Sequence, residues 1–112
     1  MHIIQKSQAV AVDNNSSKVL EYDFGDADID IAYIRVVGRY PITGRVTNEI
    51  SKESCYIVEG SGTIYVEGEP FSFSAGDALL IQPGERFYWE GNMTMVVPST
   101  PAWKPEQHRQ VD

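Results

Sequence analysis

Residues 53–91 read ESCYIVEGSGTIYVEGEPFSFSAGDALLIQPGERFYWEG. Runs rich in Ile, Val, Tyr, Phe and Trp alternate in this stretch with turn-forming residues, which is typical of short β-strands. Gly60-Ser61-Gly62 and Glu67-Gly68-Glu69 separate neighbouring runs at hairpin distance, and their glycines permit the positive φ that tight turns require. Pro83 and Gly84 predict a further tight turn. The stretch therefore predicts a series of short strands joined by turns.

The same pattern extends over the rest of the chain, and no long window keeps the apolar spacing of a helix. The candidate strands are 8–12, 18–24, 30–37, 54–59, 62–67, 70–74, 78–82, 86–90 and 93–97. We predict one all-β domain over residues 1–112, folded as a sandwich or barrel. Three prolines within residues 98–108 argue against an interior strand there. Residues 98–112 are therefore predicted to form a C-terminal strap, with Trp103 as its buried anchor.

Composition narrows the classes of partner. The chain has 112 residues and a formal net charge of -7, so duplex nucleic acid and anionic membrane surfaces are not expected partners. Cys55 is the single cysteine and excludes an intrachain disulfide. The N-terminus lacks a signal-peptide pattern and no apolar run reaches membrane-spanning length, so a cytoplasmic protein is expected. The acidic run EYDFGDADID, residues 21–30, is interpreted as a solvated turn.

Two spacings in the chain resemble the sequence motifs of the cupin superfamily. Six residues, SCYIVE, separate Glu53 from Gly60, and Gly76 is followed by DALLI and then by Gln82-Pro83-Gly84. Cupins are small β-barrels that usually hold a metal ion on three histidines and one glutamate. The resemblance implies an all-β jelly-roll barrel, or double-stranded β-helix, with Glu53 directed inward. Cupins also commonly dimerise, and the apolar-leaning N-terminal segment suits an edge contact, so we predict a homodimer.

The histidines of the family motifs are absent from this chain. Depending on the spacer, the first two histidine positions hold one of two pairs, Thr47 with Glu49 or Val46 with Asn48. The third position falls on Phe87, which cannot coordinate a metal. Because a first-row metal needs about three protein ligands, we predict neither a metal nor another cofactor. The alternative is an unusual metal site formed by Glu49, Glu53 and His108.

Strand alternation predicts which side chains face the barrel interior. If Glu53 points inward, Cys55 does as well, and Cys55 is expected to serve packing. Tyr33 and Arg35 share one face of strand 30–37, which favours a cavity lining, with exposure to solvent as the alternative. His108 is expected to be exposed on the strap, with a ligand contact at the barrel mouth as the alternative. The predicted ligand pocket comprises Tyr33, Arg35, Glu49, Glu53, Cys55, Phe87 and Trp89.

The sequence leaves two classes of function, of which we predict the first and keep the second as the alternative. The first is a metal-free protein that binds a small molecule, either a sugar or a small carboxylate, inside the barrel. The second is an enzyme, either an isomerase or epimerase that uses Glu53 as acid and base, or a metal-dependent cupin with carboxylate ligands. A carboxyl group buried in an apolar barrel has a raised pKa unless a cation such as Arg35 pairs with it. Glu53 is therefore the central candidate residue, and a structural Glu53–Arg35 pair is its non-functional alternative.

Overall fold

The computed structural model describes residues 1–112 and consists almost entirely of antiparallel β-structure. Its nine strands are β1 (Val10–Asn14), β2 (Ser17–Tyr22), β3 (Asp30–Tyr40), β4 (Val46–Asn48), β5 (Lys52–Val66), β6 (Glu69–Ser74), β7 (Ala78–Ile81), β8 (Phe87–Thr100) and β9 (His108–Gln110). Two short 3₁₀ turns, Lys6–Gln8 and Pro105–Gln107, complete the regular structure. Neither helical segment has the length or apolar character needed to cross a bilayer.

The strands form one sheet that curls on itself into a barrel. The order β1-β2-β3-β8-β4-β9 forms one side, and β5 pairs with β8 and carries β6 and β7 on its other edge. The longest ladders join β3 to β8 and β5 to β8, so β8 connects the two sides of the barrel. The predicted all-β barrel is confirmed.

The hairpin predicted at residues 60–62 does not form. The predicted strands 54–59 and 62–67 form one continuous strand, β5, which ends at Val66, pairs with β8 and has a bulge between Ile57 and Glu59. Gly62 lies opposite Gly91, and a Cβ atom at Gly91 would stand 2.6 Å from the Cα of Gly62. The glycines thus allow two long strands to approach closely where the sheet curls. The turn at residues 67–68 does form, and both of its residues have positive φ, as a tight hairpin requires.

Apolar side chains from the inner faces of these strands form the core. The most deeply buried are Ile57, Met93, Met95, Val36, Val97 and Cys55, each at most 2% exposed. Cys55 is therefore buried, as its packing role predicts. Pro98 lies within β8, opposite Ile31, and β8 runs on to Thr100. The strand prediction for this region was wrong because proline removes only one ladder donor, and the pairing resumes at Ser99.

The C-terminal segment from Pro101 onward folds back over the barrel and ends as β9, paired with β4. The Gln107 side chain fixes it there. Its Oε1 accepts hydrogen bonds from the backbone N–H groups of Ile50 and Ser51, at 2.8 and 2.6 Å. Its Nε2 donates to Ser51 Oγ at 2.6 Å, and that hydroxyl donates to the Pro101 carbonyl at 2.7 Å. Gln107 is only 4% exposed, so these bonds are shielded from water.

We predict that Gln107→Ala lowers the free energy of unfolding by about 1–3 kcal/mol, because the buried N–H of Ser51 and the part-buried N–H of Ile50 lose their acceptor. Urea denaturation followed by intrinsic fluorescence measures the change. The control is Glu106→Gln, an exposed neighbour, which should shift the value by less than about 0.5 kcal/mol. Equal effects of the two substitutions would contradict the role assigned to Gln107.

Candidate functional site

A cavity of about 530 Å³ opens on the inner face of the barrel, a volume suited to a small organic molecule. Strands β1, β2, β3, β5 and β8 form its walls, and residues 103–105 and His108 close one side. Its apolar wall includes Ile34, Val36, Phe87, Trp89, Met95 and Val97. Its polar groups include Glu21, Asp23, Asp30, Tyr40, Glu53, Lys104 and His108. The barrel interior is therefore hollow beside its packed core.

Four of the predicted pocket residues line this cavity: Glu53, Cys55, Phe87 and Trp89. Phe87 and Trp89 are 3% and 5% exposed, and their rings meet edge to face with centroids 6.4 Å apart. The aromatic side chains thus form a rigid wall. They leave an open volume in front of Glu53 and do not fill it.

Tyr33 and Arg35 do not line the cavity, which corrects the placement predicted for them. Both lie on the outer face of β3 and are exposed. Arg35 donates there to Thr94 Oγ1 at 3.1 Å and to Asn92 Oδ1 at 2.9 Å. The apolar residues Ile34 and Val36 take the inner face, because burying them is favourable and the alternation then turns their polar neighbours outward. No Glu53–Arg35 pair forms.

Glu49 also lies outside the cavity, where it pairs with Arg109 on the surface. The carboxylate set proposed for an unusual metal site, Glu49, Glu53 and His108, is therefore not brought together. The structure holds no group of three His, Cys, Asp or Glu side chains placed to bind a metal ion. Phe87 occupies the position of the third family histidine, and His108 is the only imidazole that lines the cavity. The side chains present do not fit the metal site that the cupin resemblance implies.

His108 was predicted to be exposed, but it lines the same cavity as Glu53 and is partly buried. Its Nδ1 stands 2.8 Å from Asn48 Oδ1, and its Nε2 stands 3.1 Å from the Tyr40 hydroxyl. The prediction failed because β9 pairs with β4, which carries His108 inward opposite Asn48. Pairing between strands so distant in sequence left no local signal.

The hydrogen bonds around Asn48 determine the tautomer of His108. Trp103 Nε1 can only donate, and it does so to Asn48 Oδ1 at 2.9 Å. That oxygen can only accept, so His108 Nδ1 must donate to it. Burial lowers the pKa of His108, which favours the neutral ring. Nε2 of the neutral ring then accepts a hydrogen bond from the Tyr40 hydroxyl.

Glu53 titrates far from the ordinary range of a carboxyl group. Burial, and secondarily the charge of Asp30, raise its pKa from 4.5 to about 7, while a hydrogen bond from Asn48 opposes the rise. No lysine or arginine forms an ion pair with Glu53. Burial and the nearby Glu53 charge raise the pKa of Tyr40, so its hydroxyl keeps its proton at neutral pH. The cavity thus combines a carboxyl group that titrates near neutrality with a protonated phenol.

Tyr40 and Asn48 are site residues that the sequence analysis did not select. Asn48 occupies one of the two alternative positions for a family histidine, and it is 3% exposed. The motif therefore contained a signal for Asn48, although the choice of spacer was open. Tyr40 ends β3 on the same face as Ile34 and Val36. Strand alternation would have predicted Tyr40 as a cavity residue if this face of β3 had been assigned to the interior.

Comparisons with known proteins agree with this fold. The family model for the EutQ-like cupin domain matches residues 37–97, more than half of the chain. The chain therefore belongs to the EutQ-like cupin family within the cupins. No curated protein matches it in sequence.

Several solved structures share the fold at low sequence identity. Pac13, described as a unique nucleoside dehydratase, is 21% identical with a TM-score of 0.90, covering 99% of this chain and 91% of its own. A Streptomyces Pac13 variant solved with uridine is 20% identical with a TM-score of 0.91, covering 100% and 92%. Ectoine synthase from P. lautus is 17% identical with a TM-score of 0.76, covering 100% and 91%. At these identities the likeness is one of fold.

The pKa of Glu53 predicts how stability depends on pH. Because the folded state binds this proton more tightly than the unfolded state, the stabilisation contributed by Glu53 is greatest below about pH 4.5 and is lost as the pH rises to about 7. The expected loss at Glu53 is up to about 3 kcal/mol. Glu53→Gln should remove this part of the pH dependence and stabilise the protein at pH 8.

Urea denaturation at a series of pH values between 4 and 8 measures this effect as the difference between wild type and variant. Glu59→Gln, an exposed carboxyl on the same strand, is the matched control and should leave the pH profile unchanged. A Glu53→Gln profile that runs parallel to that of wild type would show that Glu53 titrates as an ordinary carboxyl.

Proposed function

We propose that the chain is an enzyme that binds a small hydroxyl-bearing molecule in this cavity and moves a proton on it without a metal. Glu53 is the acid and base, and Tyr40 is its partner. The proposal rests on one observation: a single cavity of ligand size encloses both Glu53 and the hydrogen-bonded pair of Tyr40 and His108. A protein that only stores or senses a ligand has no need for a carboxyl group that titrates near neutral pH.

Glu53 suits general acid–base catalysis because its pKa is about 7. A group of that pKa is present at neutral pH in both protonation states, so it can remove a proton from carbon or oxygen and return it. No cation pairs with Glu53 to lower its pKa, and burial is the largest cause of the raised value.

Tyr40 suits the complementary task of orienting a ligand hydroxyl, because its one proton is donated to His108 Nε2 and its oxygen is left to accept a hydrogen bond from the ligand. Its raised pKa keeps the hydroxyl protonated, and His108 fixes the position of that hydroxyl. Asn48 in turn fixes the ring of His108. Glu53 removes a proton from a ligand carbon and then gives it either to the departing hydroxyl, in an elimination of water, or to a neighbouring carbon, in an isomerisation, and either transfer restores its carboxylate.

The names of the fold relatives support a small organic ligand. Pac13 is described as a nucleoside dehydratase, and one of its structures contains uridine. RemF from Streptomyces resistomycificus is a polyketide cyclase, 17% identical with a TM-score of 0.75, covering 100% of this chain and 86% of its own. A sugar or nucleoside ligand agrees with the hydroxyl-binding groups of the cavity.

The predicted homodimer remains a proposal. Ile3 and Val10 in the N-terminal segment are 62% and 58% exposed, and burial of such side chains in an edge contact would be favourable. Light scattering on the purified chain would measure its mass, and a monomer of 12.5 kDa at micromolar concentration would refute the dimer.

The proposed function predicts exchange of a ligand C–H with solvent. A thermal-shift screen of nucleosides and sugars first finds a ligand that raises Tm. NMR in D₂O then follows deuterium uptake into that ligand. Glu53→Gln should slow the uptake by at least about 100-fold, and Tyr40→Phe by about 10- to 100-fold, while the affinity changes only a few-fold.

Tyr33→Phe serves as the control, because Tyr33 lies on the outer face and should keep full exchange. If the wild type binds the ligand but exchanges no proton and forms no product, the chain is a binding protein. Exchange that persists in Glu53→Gln would assign the proton transfer to another group.

A further inference from the structure

The acidic run at residues 21–30 places three carboxyl groups at the mouth of the cavity. Glu21 pairs with Ala32 across β2 and β3, and Asp30 is two residues from Ala32, so Glu21 and Asp30 share the inner face. Asp23 follows Glu21 by two residues, and all three acids line the cavity. Asp26 and Asp28 lie outside the cavity in the solvated turn that the sequence predicted, and Asp23 borders the cavity but is also exposed.

These carboxyl groups have little compensating charge. The ion pairs of the chain are Lys18–Asp13, Arg45–Asp112, Arg86–Glu67 and Arg109–Glu49, and none of them involves a cavity residue. Lys104 is the only basic side chain, apart from the neutral His108, that lines the cavity. With Glu53 included, four carboxyl groups therefore face one ammonium group around the same volume.

The carboxyl groups act on one another through this volume. Burial and the charge of Asp23 raise the pKa of Glu21. Burial, followed by the charges of Asp23 and Glu21, raises the pKa of Asp30, against the opposing hydrogen bond from the Trp103 backbone. The charge of Asp30 also contributes to the raised pKa of Glu53, which lies deeper in the cavity. A cation bound among them would relieve this repulsion, whereas a phosphate or carboxylate would increase it.

The spacing of the acids favours an organic cation over a metal ion. No three of them are close enough to coordinate one ion. They border a cavity of about 530 Å³, whose volume and apolar walls suit the carbon skeleton of an amine-bearing molecule. Trp103 also lines the mouth, and an indole ring is a favourable surface for an ammonium group.

We propose that the ligand of this cavity carries a protonated amine, held at the mouth by Glu21, Asp23 and Asp30. The inference rests on the proposed function, since the hydroxyl-bearing part of the same molecule would reach Glu53 and Tyr40. The ligand class is then a hydroxylated amine such as an amino sugar or aminonucleoside. The small carboxylate expected from the sequence is the class that these charges disfavour.

The test compares three nucleosides that differ in charge at a single carbon: 5′-amino-5′-deoxyuridine, uridine and uridine 5′-monophosphate. Calorimetry at pH 7 and low salt measures each affinity. The amine should bind at least about 10-fold more tightly than uridine, and the monophosphate more weakly than uridine. At high salt the three affinities should converge, because the opening of the cavity exposes these charges to screening.

Substitutions then identify the groups responsible. Asp30→Asn and Glu21→Gln should each reduce the affinity for the amine several-fold more than the affinity for uridine, so that the preference for the amine falls. Asp26→Asn, in the solvated turn, is the matched control and should change neither the affinity for the amine nor the affinity for uridine. Circular dichroism confirms that each variant is folded. An amine that binds no more tightly than uridine, or that does not bind, overturns the inference.

The two proposals fail in different ways. Glu53→Gln should keep the preference for the amine, because Glu53 lies deeper than the three acids at the mouth. A protein that prefers the amine but catalyses no proton exchange would refute the proposed function alone. A protein that exchanges protons on uridine and shows no preference for the amine would refute the charge inference alone.

Discussion

The side-chain amide of Asn48 is the contact on which the arrangement of the cavity depends. Its oxygen accepts hydrogen bonds from Trp103 and His108, and its amide donates to Glu53. It thereby joins β4 to β5 and to the C-terminal segment, three parts of the chain that are distant in sequence. The same contact fixes the tautomer of His108, and through His108 the position of the Tyr40 hydroxyl. One amide thus links the strand pairing that closes the barrel to the positions of the His108 and Tyr40 side chains in the cavity.

The hydrogen-bonded group occupies the region that the cupin resemblance assigns to a metal ion. Asn48 and Phe87 stand at positions where the family motifs place histidines, and the one histidine present comes from β9. A metal ion would hold neighbouring carboxyl groups ionised. Without that charge, burial dominates the pKa of Glu53 and brings it to about 7. The altered motif therefore agrees with the proposal that side chains alone transfer the proton.

Local pattern predicted much of the fold. The β-rich runs, the tight turn at residues 67–68 and the spacings around Glu53 and Gly76 led to an all-β barrel, because turn chemistry and strand alternation are local properties. The continuity of β5 through Gly60 and Gly62 was missed, since a glycine that allows two strands to approach closely resembles a turn glycine in sequence. The inner face of β3 was also chosen wrongly, because polar side chains were weighed above the burial of Ile34 and Val36.

Motif spacing predicted some of the residues that line the cavity, and the residues that it missed are brought together by long-range strand pairing. Glu53, Cys55, Phe87 and Trp89 lie on two strands with motif spacing, and all four line the cavity. Tyr40, Asn48 and His108 meet only because β9 pairs with β4 and β8 closes the barrel. Such contacts depend on register between distant strands, which a single sequence does not display.

The central claim is that Glu53 titrates near neutrality because it is buried without a paired cation. The most direct measurement is a ¹³C NMR titration of its side-chain carboxyl carbon, assigned by comparison with Glu53→Gln. The account predicts a midpoint of about 7, against the ordinary value of 4.5. A midpoint close to 4.5 would contradict it, because a carboxyl group that is fully ionised at neutral pH could not act as both acid and base.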